Sequence, residues 1–169
     1  STAALERVVG ASIVNRFPYV VALSFCRTDL SPRHHGRHTF CKLLERARTA
    51  AIQFLPLGHD LERVLEVIGT TPEERTGGRI ALTRLGVREG VGVPAPVFDN
   101  AYLVYEARLV EPGEDFEGQG IYPDPWRDVG SHRIYFLEIS AIQLRADIAA
   151  ATHQIAWRSL PLWRPQASS

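Results

Sequence analysis

A mainly β domain, an antiparallel barrel carrying a few short helices, is the fold class this sequence predicts, and three observations predict it. β-patterned runs outnumber helical ones. The helical patterns are short and confined largely to the first half, which argues against the strand-helix alternation of a doubly wound parallel sheet. The two longest β-patterned runs come last, parted by a long polar excursion, as an antiparallel pair would be. At 169 residues the chain can bury one sizeable core and not two, so residues 1–169 read as one domain.

The elements follow in order. "RVVGASIVNRFPYVVALSFC" (7–26) holds two β-rich runs, 8–14 and 19–25, with "NRFP" breaking the pattern where a turn belongs. A helix is expected from Thr39 as N-cap, carrying Phe40, Leu43, Leu44 and Ala47 on one face up to about Arg48. "TAAIQFLP" (49–56) reads as a strand entered directly from it. "DLERVLEVIG" gives a second helix, capped by Asp60 and stopped at Gly69. Residues 70–96, rich in Gly, Pro and charge, read as loops with at most short elements. "AYLVYEARLV" (101–110) alternates at Leu103, Tyr105, Ala107 and Leu109, and "HRIYFLEISAIQL" (132–144) is its expected partner. The excursion 111–131 is long enough to expect a functional or mobile loop. The tail, 147–169, contains a short helical pattern and then Trp157 and Trp163, and is expected to pack on the barrel or on a partner subunit.

Composition narrows the function. Nineteen Lys and Arg balance nineteen Asp and Glu, so no excess positive field holds a nucleic-acid backbone or an anionic membrane. Apolar runs such as "YVVALSF" fall far short of the roughly 20 residues a membrane span needs, so the expectation is a soluble, cytoplasmic protein. Cys26 and Cys41 have neither the density nor the spacing of a disulfide scaffold or zinc site, and read as free thiols.

The densest chemistry is "SPRHHGRHTF" (31–40). A metal site needs converging ligands, whereas adjacent histidines in an extended loop point apart, so no metal is expected from His34, His35 and His38. Nucleophilic chemistry at Cys41 or Ser12 is a second reading, set against Cys41's apolar neighbours Phe40 and Leu43. Anion binding is the third. Arg37, His38 and Thr39 stand at the expected helix start, where unpaired backbone N–H groups and the helix dipole favour a phosphate. A solvated basic loop capped by Thr39 is the plain alternative.

Over roughly residues 7–147 the chain resembles the flavin reductase-like FMN-binding split barrels. "GASIVNRFPYVVALSF" is similar to the family's opening serine stretch, proline and strand; "RHTFCKLLERARTAAIQFLP" to its R-x-T helix start and following strand; "APVFDNAYLVYEARLVE" and "GSHRIYFLEISAIQL" to its last barrel strands. The order and spacing of the four pieces carry the likeness. Gln53 stands where the family usually has Asn, Glu138 where Gly is common, and Ile13 and Val14 follow Ser12 in place of small polar residues.

The resemblance implies an antiparallel split barrel that dimerises, with FMN or FAD near the dimer interface. Carried over by position, Ser12 and Asn15 would flank the isoalloxazine or ribityl chain, with Ser24 nearby. Arg37, His38 and Thr39 would hold the phosphate, and His132 would lie close to the flavin or the nicotinamide. It implies an NAD(P)H-dependent flavin reductase, a homodimer passing reduced flavin to a partner monooxygenase. Two rivals remain at this point: a bound-FMN oxidoreductase acting on an organic substrate, with residues 111–131 as lid and Tyr122, Trp126 and Arg127 as contacts, and a split-barrel binding protein without turnover.

Overall fold

In a computed structural model of the chain, the residues described are 3–8, 10–16, 19–26, 35–71, 78–111, 115–116, 120–121 and 124–151. Strands dominate, the sheets are antiparallel throughout, and the helices are few and short, which is the fold class the sequence predicts. The first hairpin pairs β1 (Gly10–Arg16) with β2 (Tyr19–Cys26). Helix α1 (His35–Ala47) leads into β3 (Thr49–Phe54), and α2 (His59–Thr70) follows. Among its described residues, the region expected to be loops carries a five-residue helix, α3 (Arg79–Thr83), and a three-residue strand, β4 (Val87–Glu89), with β5 (Pro96–Phe98) starting at its end.

The second half supplies β6 (Leu103–Leu109), the small pair β7 (Asp115–Phe116) and β8 (Gly120–Ile121), β9 (Trp126–Val129), the long β10 (His132–Leu144) and α4 (Ala146–Ala151). Strand order in the main sheet is β1-β2-β10-β6-β3, with β9 on the first part of β10. Among the described residues no pair joins β3 back to β1, so the sheet stays open at those two edges. The tail beyond residue 151, with Trp157 and Trp163, lies outside the described residues.

Alternation along β2 explains the core. Val21, Leu23 and Phe25 turn to one face and meet Tyr135 and Leu137 of β10, Ala107 and Leu109 of β6, and Leu44 of α1. Phe40, Ala50, Ile52 and Trp126 pack around this cluster. Strand β6 departs from the one-sided alternation expected of it. Its Ala107 and Leu109 face this core, but Val104 and Glu106 on the opposite face are also fully buried, because β5 and residues 90–95 cover them.

Two helix boundaries also differ from expectation. Helix α1 begins at His35, one turn before Thr39, so Thr39 is a helical residue and not the N-cap. Asp60 is not the cap of α2 either: the helix starts at His59 behind Gly58, and Asp60 Oδ2 accepts from Asn100 Nδ2 at 2.6 Å. Gly69 lies inside that helix, which ends with the Thr71 N–H on Val67 O. The direct passage from α1 to β3 is as expected. Arg48 makes it in one residue at φ 63, a left-handed conformation that costs a non-glycine residue roughly 1 kcal/mol. Its N–H donates to Leu44 O at 2.8 Å, and its guanidinium donates to Val110 O at 3.0 Å, which fixes the turn against β6.

Candidate functional site

Register assigns the two faces of the β1-β2-β10 region. Ala11 pairs with Leu23 on the core face, so its neighbour Ser12, paired with Ala22, lies on the outer face. Ser24 pairs with Gly10 on one side and Ile134 on the other, and His132 stands two residues from Ile134 along β10. Gly10, Ser12, Ala22, Ser24, Ile134 and His132 therefore share one patch of the outer face. Gly10 and Ser12 are exposed, the others half-buried. The patch is small-residue and polar, and carries no carboxylate.

The rest of that face is different in kind. Val14, Val20, Val110 and Phe136 close into a small apolar cluster beside the patch, and Arg108 pairs with Glu138 across the strands at 2.6 Å. Farther on, residues 90–95 and β5 cover it. Three predicted site residues, Ser12, Ser24 and His132, are thus brought to one surface. The Ser131 hydroxyl lies 3.1 Å from His132 Nδ1 and biases the ring's orientation.

For Asn15, Arg37 and His38 only the backbone is described. Asn15 pairs with Val20, after a register shift between Ile13 and Asn15, whereas Ser24 lies four residues farther along β2, about 13 Å at the rise of a strand. Arg37 and His38 fall in the first turn of α1, whose leading N–H groups have no intrahelical partner, and Thr39 begins the second turn, half-buried. Residues 31–34, with His34, and residues 122 and 123, with Tyr122, lie outside the described set.

What holds α1 against the sheet was not foreseen from the sequence. Glu45 Oε1 accepts from Tyr135 Oη at 2.6 Å and from Arg133 at 2.8 Å. Arg133 also grips Asp128 of β9 with two donors, at 2.7 and 3.1 Å, and its guanidinium lies 6.0 Å from the Trp126 ring. The Asp128 hydrogen bond, with those of Glu45 and Tyr135, raises the Arg133 pKa against its partial burial, so the guanidinium stays charged. Burial pushes the Tyr135 hydroxyl far up, helped by its bonds to Cys41 and Glu45, and burial likewise raises the Cys41 thiol. Cys41 therefore lacks the activated thiolate that nucleophilic chemistry needs. Trp126, packed on the core and 6.0 Å from Tyr135, is an anchor of β9 and not a free contact of a lid; Arg127 beside it is exposed.

The two departures from the family pattern have structural duties. Gln53 Nε2 donates to Pro96 O at 3.0 Å and its Oε1 accepts from Phe98 N–H at 2.7 Å, so its amide pairs β3 with β5 as a peptide group would. Glu138 is held by Arg108. The fully buried carboxylate of Glu106 accepts the N–H groups of Val91, Gly92 and Val93 and an N–H of the Gln143 amide. Burial would raise its pKa, but these bonds together outweigh burial and hold it below the usual carboxylate range. Gly90 permits the loop that makes this cradle: a Cβ there would stand 2.5 Å from Val93 O.

The core side of the open edges holds a cavity of about 350 Å³. Ala11, Leu23, Phe25, Phe40 and β3 line it, with α2 and residues 3–8. Among the described residues, Ser12, Ser24, Thr39 and His132 are not part of its lining.

No family model matches this chain, and no curated protein does. Solved structures do. An FMN-binding protein from Thermus thermophilus with bound p-hydroxybenzaldehyde is 17% identical at a TM-score of 0.57, over 84% of this chain and 64% of that one. The flavin reductase HpaC complexed with NADP+ is 17% identical at 0.54, over 81% of this chain and 67% of that one. Component B of nitrilotriacetate monooxygenase from Mycobacterium thermoresistibile is 13% identical at 0.56, over 83% and 60%. The match thus spans less than two thirds of the Thermus and Mycobacterium chains. These likenesses show that the chain has the fold of flavin reductase-like proteins, as the resemblance in its sequence implied.

Proposed function

We propose that this chain is a flavin-binding oxidoreductase, an NAD(P)H-dependent reductase of FMN or FAD that supplies reduced flavin to a partner monooxygenase. The observation that carries the reading is the outer-face patch of Gly10, Ser12, Ala22 and Ser24, bordered by His132, on a fold shared with flavin reductases. Of the similar structures, one is described as a flavin reductase complexed with NADP+ and another as a monooxygenase component.

The residues present fit a flavin. Small side chains let a flat ring lie close to the strands, and the hydroxyls of Ser12 and Ser24 offer hydrogen bonds to its polar edge or ribityl chain. Arg37, His38 and Thr39, in the opening of α1, provide a fork, a ring donor and a hydroxyl for a phosphate beside N–H groups that already favour an anion. When bound, the flavin supplies the hydride chemistry, so the protein needs no carboxylate pair or nucleophile. His132 donates or accepts a hydrogen bond where flavin and nicotinamide would meet. A second copy covering the patch makes the working unit a homodimer.

Gln53 and Glu138 hold β5 and Arg108, so the sequence departures do not favour the reading as a substrate-specific flavoprotein. The test is a titration with FMN, read by visible absorbance and flavin fluorescence, followed by NADH and NADPH. Saturable binding with rapid bleaching is expected, and the double variant Arg37→Ala/Thr39→Ala should bind FMN more weakly while staying folded. Binding without bleaching by either nucleotide overturns the reductase, and no binding overturns the flavin site.

A further inference from the structure

The cavity of about 350 Å³ lies on the opposite side of the sheet from the patch, because Ala11 lines it while Ser12, the next residue of β1, faces outward. Its walls are Leu23, Phe25, Phe40, Leu44, Ile52 and Val64. Two polar side chains described in its lining, Gln53 and Glu6, are already engaged. Gln53 uses both ends of its amide on β5. Glu6 accepts the Arg7 N–H at 3.0 Å with Oε1 and the Arg79 guanidinium at 3.4 Å with Oε2. Asn100 Oδ1, the buried side-chain atom without a partner among the described residues, does not line the cavity.

Residues 3–8 cross the lining as a strap, and the strap is pinned. Arg79, 4% exposed, donates to Leu5 O at 3.0 Å and to Thr71 O at 2.6 Å besides pairing with Glu6. A buried guanidinium engaged on three sides is expensive to displace, so the strap is a fixed wall. Folded cores leave few voids larger than a water molecule, and apolar walls give water no partners.

We propose that this cavity binds a neutral, apolar small molecule, of one to two fused rings and without charge, separately from any flavin on the outer face. A cavity of about 150 Å³ lined in this way accepts benzene, so a space of this volume accommodates a molecule of roughly ten carbon atoms. Among the described residues a charge placed between these walls finds no buried counterpart, since Glu6 is paired with Arg79 and the lining's other ionised side chain, Arg7, is exposed to solvent.

The experiment is a titration of the full chain with 1-fluoronaphthalene, followed by the broadening of its fluorine NMR signal, with naphthalene and 2-naphthoate as competitors. Saturable binding is expected, reversed by naphthalene and not by 2-naphthoate. Two variants place the site: Ala50→Phe fills the cavity from β3, and Leu65→Glu puts a charge on its α2 wall from a position 40% exposed, which the fold tolerates. Each should weaken binding about tenfold or more, with FMN affinity unchanged. Absence of saturable binding, equal displacement by 2-naphthoate, or unchanged affinity in Leu65→Glu overturns the proposal. So does displacement of the probe by FMN, which would put both ligands on the outer face. Failure of FMN to bind leaves the naphthalene result intact, so the two readings fall separately.

Discussion

Tyr135 and Glu45 meet at 2.6 Å, the β10 hydroxyl donating to a carboxylate oxygen of α1 that Arg133 shares. One atom thus joins the helix to β10, and through Arg133 to Asp128 of β9. The bond sits ten residues after the start of α1, so it sets the tilt with which the helix presents its first turn. Glu45→Ala takes the carboxylate acceptor from the buried Tyr135 O–H and from Arg133, and is expected to destabilise the fold by about 2–3 kcal/mol. Urea denaturation measures it. If Tyr135→Phe and Glu45→Ala act through this bond, their combined cost falls short of the sum.

Gln53 should prove as demanding. Shortening it to Asn withdraws the amide from Pro96 O and Phe98 N–H together, leaving two partly buried backbone groups without their partner. The expected loss is about 2 kcal/mol, with β4 and β5 loosening first. Hydrogen exchange at the Phe98 amide, compared with that at Leu23 in the core, reads this directly. Equal protection in variant and wild type would remove the bridge from the account.

These two contacts mark where reading the sequence stops. Val21, Leu23 and Phe25 announce β2 because a strand's period is two and one face is buried, and the same logic found β10. The slip between Ile139 and Ala141 does not show in a hydropathy pattern, nor does the burial of Glu106, whose partners come from a loop 13–15 residues earlier. Thr39 looked like a cap because Phe40, Leu43 and Leu44 begin the apolar stripe there. The turn before it, His35 to His38, has no apolar periodicity to betray a helix. Asp60 looked like a cap for the same local reason, while Asn100, forty residues away, takes its carboxylate. On the site side, the pairing of β1 with β2 is what puts Ser12 on the face of Ser24, and the pairing of β2 with β10 adds His132.

Glu106 predicts an acid-labile loop. Its folded pKa lies below the ordinary value of 4.5, so the unfolded chain takes up the proton first as pH falls. The stabilisation is complete above about 4.5 and is lost as pH drops through the lower, folded value. Urea midpoints measured from pH 6 downward should therefore fall in the wild type. In Glu106→Gln, already weakened by about 2–3 kcal/mol because an amide N–H₂ must face backbone donors, the decline should be shallower. Parallel declines in the two proteins would show that Glu106 is not the group responsible.

Cys41 tests whether the polar cluster under α1 is as closed as its geometry indicates. Burial raises the thiol's pKa, and the nearby Glu45 and Glu6 charges add to the effect, against the opposing bond to Tyr135 and the charge of Arg133. The thiolate fraction at neutral pH is therefore smaller than in a free cysteine, and the half-buried sulfur has restricted access. In a Cys26→Ser background, so that a single thiol reports, labelling by a disulfide reagent at pH 7 should be at least about tenfold slower in the native protein than in urea. Glu45→Gln removes one of the charges that disfavour the thiolate but also loosens the bond that keeps α1 down, so labelling should accelerate. Native labelling at the unfolded rate would mean that α1 does not stay docked on Tyr135, and the positioning of its first turn by this cluster would fall with it.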